Sequence, residues 1–286
     1  MNAELAKLIA MLKPAELGTD RFRGDSHDIG TPQVFGGQVL GQALYAASLT
    51  VDCTRPPHSL HAYFLHRGNV SKPIDYEVDR ARDGSSFSNR RVVASQQGRS
   101  IFNMTASFQK RESGIEHQLP APDVPGPEGL ADKYDLADDV LAQMHEKLSA
   151  YIKRDRPFMV RPVQPQDFLN PQKSAPLKQV WIKANDSLPD DPLLHQALFA
   201  YVSDYELLGT ANLPHGISFT NQGVQMASLD HAVWFYHPFR VDEWLLFAYD
   251  SPVSAASRGL ARGMVYTQEG RLVAMSAQEG LIRVKD

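Results

Sequence analysis

The segment HQALFAYVSDYELLG, His195 to Gly209, reads as one helix, apolar on nearly every side, yet it carries an aspartate, Asp204. Three and four positions away stand Ala200, Tyr201, Leu207 and Leu208, so the helix offers that carboxylate no ion-pair partner. A negative charge near a helix C-terminus is also disfavoured, by about 0.3–1 kcal/mol. Local stability gives no reason for the residue, whereas general-base chemistry does. Partial burial and the helix end both raise a carboxylate pKa from its usual ~3.9, which makes it a better proton acceptor while leaving it ionised near neutrality. Other chemistries are poorly provided for. His58 and His61, at the start of a strand, are the alternative base. The nearest approach to a serine-nucleophile elbow, GSSFS (Gly84 to Ser88), lacks the last glycine and precedes a strand. There is no HExxH, and His58, His61 and His66 lack the carboxylate pattern of a metal site; with no GxGxxG and no GxxxxGK[ST], neither metal nor nucleotide cofactor is expected.

The elements that must position Asp204 are written twice. QALYAASLT (Gln42 to Thr50) matches QALFAYVSD (Gln196 to Asp204), SLHAYF (Ser59 to Phe64) matches SLDHAVWF (Ser228 to Phe235), and GRSIFNMTASF (Gly98 to Phe108) matches GRLVAMSAQE (Gly270 to Glu279), in the same order. Thr50 then stands where the second copy has Asp204, so the fold itself does not require a carboxylate there. Matching His61 to His231 suggests a structural histidine common to both copies, and matching Met104 to Met275 sets Ser107 opposite Gln278. The second copy carries an insertion over Thr210 to Gln225.

Each copy reads as a helix followed by strands. The first helix opens after Phe35–Gln38; Asp191 and Pro192 cap and open the second, and Gly209 stops it. Residues 243–249, 262–268 and 271–278 are strand-like, the last two joined by a turn at Glu269-Gly270. A helix apolar on most sides, followed by antiparallel strands, predicts a sheet curled around it. Between the copies, Leu119 to Gly129 holds four prolines and reads as an extended linker, followed by a linking helix with Val140, Leu141, Met144, Leu148 and Tyr151 on one face.

The 286 residues, 43% hydrophobic and 22% charged, suit two ordinary domains, and the net charge of -4 implies no general attraction to nucleic acid or anionic membranes. Cys53 is the only cysteine, which excludes an intrachain disulfide and fits a cytoplasmic setting. The N-terminus reads as an amphipathic helix (Leu5, Leu8, Ile9, Leu12), and no segment reaches the roughly 20 apolar residues of a membrane span.

The segments VFGGQVLGQAL, RDGSSFSNRRV, DHAVWFYHPF and DEWLLFAYDSPVSAASRGLARG resemble those of the acyl-CoA thioesterase II family, over nearly the whole chain. The resemblance implies an α+β double hotdog, with an N-terminal domain over residues 1–115, a linker over 116–156 and a C-terminal domain over 157–286 that carries the site. It implies that Asp204, Ser228 and Gln278 hold and activate a water, with Ser228 departing from the family's threonine and lacking the methyl that fixes the rotamer. The implied activity is hydrolysis of acyl-CoA without cofactor or metal, in a homodimer or homotetramer. Hydration or dehydration of acyl-CoA and non-catalytic acyl-CoA binding are the alternatives, since a fold alone does not decide function. Gly36–Gly37 and His215–Gly216 are the candidate oxyanion donors, and Asn89–Arg91 with Arg258 and Arg262 either meet the coenzyme phosphates or form a solvated face.

Overall fold

A computed structural model describes the chain except residues 31–32, 143, 166–169, 219–220, 222 and 285–286 and the side chains of 147, 148 and 151. The two helices predicted to be central are so. Helix α2 (Gly36–Ser48) and helix α5 (Pro192–Val202) are buried on nearly all sides. Asp191 caps α5 as expected, accepting from the backbone N–H groups of Leu193 and Leu194 at 3.1 and 3.2 Å, and Pro192 takes the first helical position.

The helices lie back to back and antiparallel, close enough that glycine is required at the contact. A Cβ on Gly37 would stand 2.1 Å from the Tyr201 carbonyl, and one on Gly41 would stand 2.6 Å from Leu12 Cδ2 and 3.0 Å from the Ala197 carbonyl. Helix α1 (Ala3–Leu12) adds Leu5, Leu8 and Leu12 to this core.

Among the described residues thirteen strands wrap the pair in one sheet. The first half contributes β1 (Ala15–Gly18), β2 (Arg21–Gly24), β3 (Pro57–Phe64), β4 (Ile74–Asp83), β5 (Phe87–Gln96) and β6 (Arg99–Gln109). The second contributes β7 (Phe158–Pro162), β8 (Leu177–Ala184), β9 (Val224–Ser228), β10 (Asp230–Phe235), β11 (Leu245–Ala255), β12 (Arg258–Thr267) and β13 (Leu272–Val284). The order β1-β2-β4-β5-β6-β3-β10-β13-β12-β11-β8-β7 is a palindrome of the repeat, joined by the antiparallel pair β3–β10. The insertion supplies a 3₁₀ segment (Leu208–His215) and β9, which extends the pairing of β13.

The repeat is real, but its register is one residue away from the match of identical letters. Ladder irregularities skip Ile101 in β6 and Val273 in β13, which makes these two residues equivalent. Burial alternates in step from there: Met104 and Ser276 face the core, whereas Met275 does not. On this register the counterpart of Gln278 is Ala106, not Ser107, and that of His231 is Leu60, not His61. His61 is exposed on the outer face, edge-on to Trp234 at 5.2 Å, and His231 is buried. A slip of one residue exchanges the two faces of a strand, so the identical letters misled.

Two further expectations need correction. Helix α5 ends at Val202, not before Gly209: Glu206 adopts a left-handed φ of 61° that no helix continues through, and Asp204 sits in the turn beyond the helix end. The linking helix is two short pieces, α3 (Asp138–Ala142) and α4 (Glu146–Ile152). Leu141 and Met144 are buried there, and the Leu148 and Tyr151 side chains lie outside the described residues. The Pro-rich stretch is extended and laid on the outer face of the second half, where the Pro125 carbonyl accepts from Trp181 Nε1 at 2.9 Å and Gln118 bonds the backbone of Gly270 and Leu272. Ala121, Val124 and Leu130 cover Trp181, Leu246 and Tyr266. No helix is long and apolar enough to cross a membrane among the described residues.

Gly41→Ala places its methyl against a backbone carbonyl that cannot move without parting the helices. A loss of about 1–3 kcal/mol is expected in urea unfolding, and wild-type stability would contradict the contact.

Candidate active site

Asp204 is positioned by what surrounds its turn rather than by α5. Its Oδ2 accepts the backbone N–H of Gly37 at 3.0 Å and its Oδ1 accepts from Gln278 Nε2 at 2.6 Å. Helix α2 has no side-chain cap of its own at Phe35, so the aspartate of the second half satisfies a free N–H at the start of the first half's helix. Gly36 leaves room for this, since a Cβ there would lie 2.7 Å from Asp204 Oδ2. Gly37 is therefore engaged by the carboxylate and is not a free oxyanion donor. Gly216, the other candidate, gives its N–H to Leu213 and packs against Pro171 and Lys173.

The three polar residues implied by the resemblance come together. Gln278 Nε2, on a buried position of β13, lies 2.6 Å from Asp204 Oδ1, 3.1 Å from Ser228 Oγ and 3.2 Å from His231 Nδ1. Asp204, Ser228 and Gln278 line one cavity of about 250 Å³, with Gly36, Leu208 and Met226. Two larger cavities adjoin it. One of about 560 Å³ shares Phe35, Asp204 and Glu206 with it and carries His27, Arg154 and Arg156; the other, about 820 Å³, shares Glu206, Gly209 and Met226 and is bounded by Leu177, Leu213, Ile217, Pro165 and Pro171.

Two carboxylates two residues apart are driven in opposite directions. Burial without a cation pushes Asp204 from 3.8 up to about 6, although the Gln278 and Gly37 hydrogen bonds oppose the rise. Burial acts the same way on Glu206, but the ammonium groups of Lys133 and Lys178 on its two oxygens outweigh it and hold Glu206 well below the usual carboxylate range. His231 stands 3.9 Å from Asp204, but burial lowers its pKa to about 3, so it brings no positive charge.

The rivals lie elsewhere. His58 bonds Ser107 Oγ at 2.8 Å in a different cavity, beside Gln196 and Phe239. Of the arginines considered for coenzyme phosphates, Arg91 pairs with Asp79, Arg258 with Glu279 and Arg262 with Asp250. Reasoning from sequence missed Ser203 and His231, which stand behind Gln278, and the pair Lys133–Lys178 on Glu206. Strict alternation along β10 and β13 would have put His231 and Gln278 on one face.

Comparison with known proteins agrees with the geometry. Family models described as acyl-CoA thioesterase and acyl-CoA thioesterase N-terminal domain match residues 148–281 and 22–109. Acyl-CoA thioesterase 2 of Haemophilus influenzae is 40% identical over 286 residues, all of both chains. The chain belongs to the acyl-CoA thioesterase family. A crystal structure of acyl-CoA thioesterase II from Mycobacterium marinum superposes with a TM-score of 0.81 at 40% identity, covering 98% of this chain and 99% of that one. A hot dog fold protein from Alicyclobacillus acidocaldarius, 18% identical and covering 98% and 99%, superposes at 0.78, which places the acyl-CoA thioesterase chain in that fold.

Within this thioesterase fold the equivalent place in the first half is filled. Arg90, opposite Ala106 in the β5–β6 ladder, is buried; it donates to Thr50 Oγ1 at 2.8 Å and to the Thr50 carbonyl at 3.0 Å, and pairs with Asp83. In the second half the corresponding cross-strand pair is Ala261 opposite Gln278, so no guanidinium stands there.

The raised Asp204 pKa has a consequence for stability. Between pH ~4 and ~6 the unfolded chain releases this proton while the native chain keeps it, so the group's contribution to stability falls as pH rises. Asp204→Asn removes the cost of the buried charge. Its stability relative to wild type should grow from pH 4 to pH 7, by on the order of 2–3 kcal/mol. Melting curves at both pH values check this, and an equal difference at the two would contradict a buried ionised Asp204.

Proposed function

We propose that the chain hydrolyses acyl-CoA to a free fatty acid and coenzyme A, with Asp204 as general base, and that residues 157–286 carry the chemistry while residues 1–115 support it. The observation that carries the reading is the convergence of Asp204 and Ser228 on the amide nitrogen of Gln278, in a cavity where burial outweighs the hydrogen bonds on the carboxylate and raises its basicity.

Gln278 holds Asp204 and Ser228 in a fixed relation. Ser228 Oγ accepts from Gln278, which leaves its own hydrogen to point a water or the thioester oxygen. A water between them loses its proton to Asp204 as its oxygen bonds the thioester carbon. When the tetrahedral intermediate collapses the carbon–sulfur bond breaks, and the proton on Asp204 passes to the departing thiolate. With a pKa near 6 the base is ionised at neutral pH and still basic enough to take the proton. A base of this kind contributes roughly 10²–10⁴ in rate.

The apolar 820 Å³ cavity suits the acyl chain, with Met226 at its junction with the chamber, and the more polar cavity bearing Arg154 and Arg156 suits the coenzyme. A homodimer or homotetramer in the cytoplasm belongs to the same reading; exposed Tyr63 and Tyr236 give such an assembly apolar contacts.

Thiol release from acyl-CoA should fall about 10²–10⁴-fold in kcat for Asp204→Asn, and the wild-type kcat/KM should rise with pH through about 6. Undiminished release from the variant would remove Asp204 from the mechanism, and a change in enoyl absorbance without thiol release would favour hydration instead. Met226→Trp should narrow the passage and shift the preference to shorter chains. An unchanged length profile would move the acyl chain to another cavity.

A further inference from the structure

We infer that His231 is a positioning residue for this reaction, a neutral imidazole that fixes the direction of the Gln278 amide from behind. The inference rests on the proposed role of Asp204, Ser228 and Gln278. Its basis is a hydrogen-bonded chain anchored on a backbone carbonyl, which fixes the direction of each step as far as Gln278. The chain begins at a fixed acceptor, the Ala200 carbonyl in the last turn of α5, which takes the hydroxyl hydrogen of Ser203 at 3.0 Å. Ser203 Oγ is then an acceptor towards His231 Nε2, 2.9 Å away, so the imidazole carries its hydrogen on Nε2. Nδ1 is left with its lone pair and accepts from Gln278 Nε2 at 3.2 Å. One amide hydrogen goes to Asp204 and the other is shared between His231 and Ser228, so the amide presents its nitrogen, and not its oxygen, to the carboxylate.

The sequence of partners imitates a serine hydrolase triad, Ser203–His231–Asp204, but the geometry excludes one. Ser203 is buried with its hydrogen committed to Ala200, and His231 Nδ1 lies 3.9 Å from the carboxylate with the Gln278 nitrogen closer to both. The first half shows that packing does not demand an imidazole here, since the equivalent inward position in β3 is Leu60. A polar group buried in an apolar setting and spared by the fold's other copy is there for what it bonds.

The test is thiol-release kinetics with His231→Leu, His231→Asn and Asp204→Asn, each with a pH–rate profile and a melting curve. The leucine variant should lose about tenfold or more in kcat with KM within about twofold, because the base remains but is no longer aligned, and its profile should keep the acid limb. Asparagine places an amide oxygen where Nδ1 stands and does not titrate, so it should recover kcat to within about threefold of wild type. A leucine variant with wild-type kcat would reduce His231 to filling space, and an asparagine variant as slow as leucine would mean that the imidazole itself moves protons; either overturns the inference. Should the leucine variant not fold, Ser203→Ala serves instead: releasing Nε2 should lower kcat several-fold at unchanged KM, and an unchanged kcat overturns the inference. A wild-type rate in Asp204→Asn sinks the choice of base, whereas the leucine–asparagine contrast decides His231 alone.

Discussion

The closest constraint in the molecule is the contact between α2 and α5, where Gly37 and Gly41 let two helix backbones meet with no side chain between them. From that contact the rest follows. The N-terminus of α2 comes level with the end of α5, so the N–H of Gly37 can reach a carboxylate just past that end. Each helix is then surrounded by its partner and by the sheet, which is why both sequences are apolar almost all round. The position of Asp204 is therefore a property of both halves, although its neighbours Ser228 and Gln278 come from the second half.

Electrostatics at this point are set by which carboxylate receives cations. Glu206 takes two lysines, one from the segment between the halves and one from β8, and the turn that follows α5 is thereby tied to two other parts of the chain. Among the described residues Asp204 receives neutral donors, the Gly37 N–H and the Gln278 amide. An uncompensated buried carboxylate is costly to the fold and useful as a base, whereas a paired one keeps its charge and loses its basicity. The turn holds one of each, and the paired Glu206 anchors the segment on which the unpaired Asp204 is borne.

Much of this could be read from the residues before any coordinates. The apolar helices, the cap at Asp191, the hairpin at Glu269-Gly270, the duplication and the meeting of Asp204 with Ser228 and Gln278 follow from periodicity, turn chemistry and resemblance. What could not be read depended on single-residue register and on partners far away in the chain. The identity of His61 with His231 outweighed strand parity, and nothing local to Glu206 announced the lysines that pair with it or its left-handed φ. The direction of the dipole at Asp204 was also misjudged, because the helix that matters is α2, whose N-terminus favours the negative charge, as well as α5.

The buried pair Arg90 and Ala261 shows what joining the two copies permits. In an assembly of two identical subunits the same letter must serve at both related places, so any guanidinium closing one vault would close the other. Covalent fusion breaks that obligation. One vault is free to become masonry, with Arg90 as its keystone, while its twin carries small Ala261 at that place and keeps Asp204, Ser228 and Gln278 on a cavity.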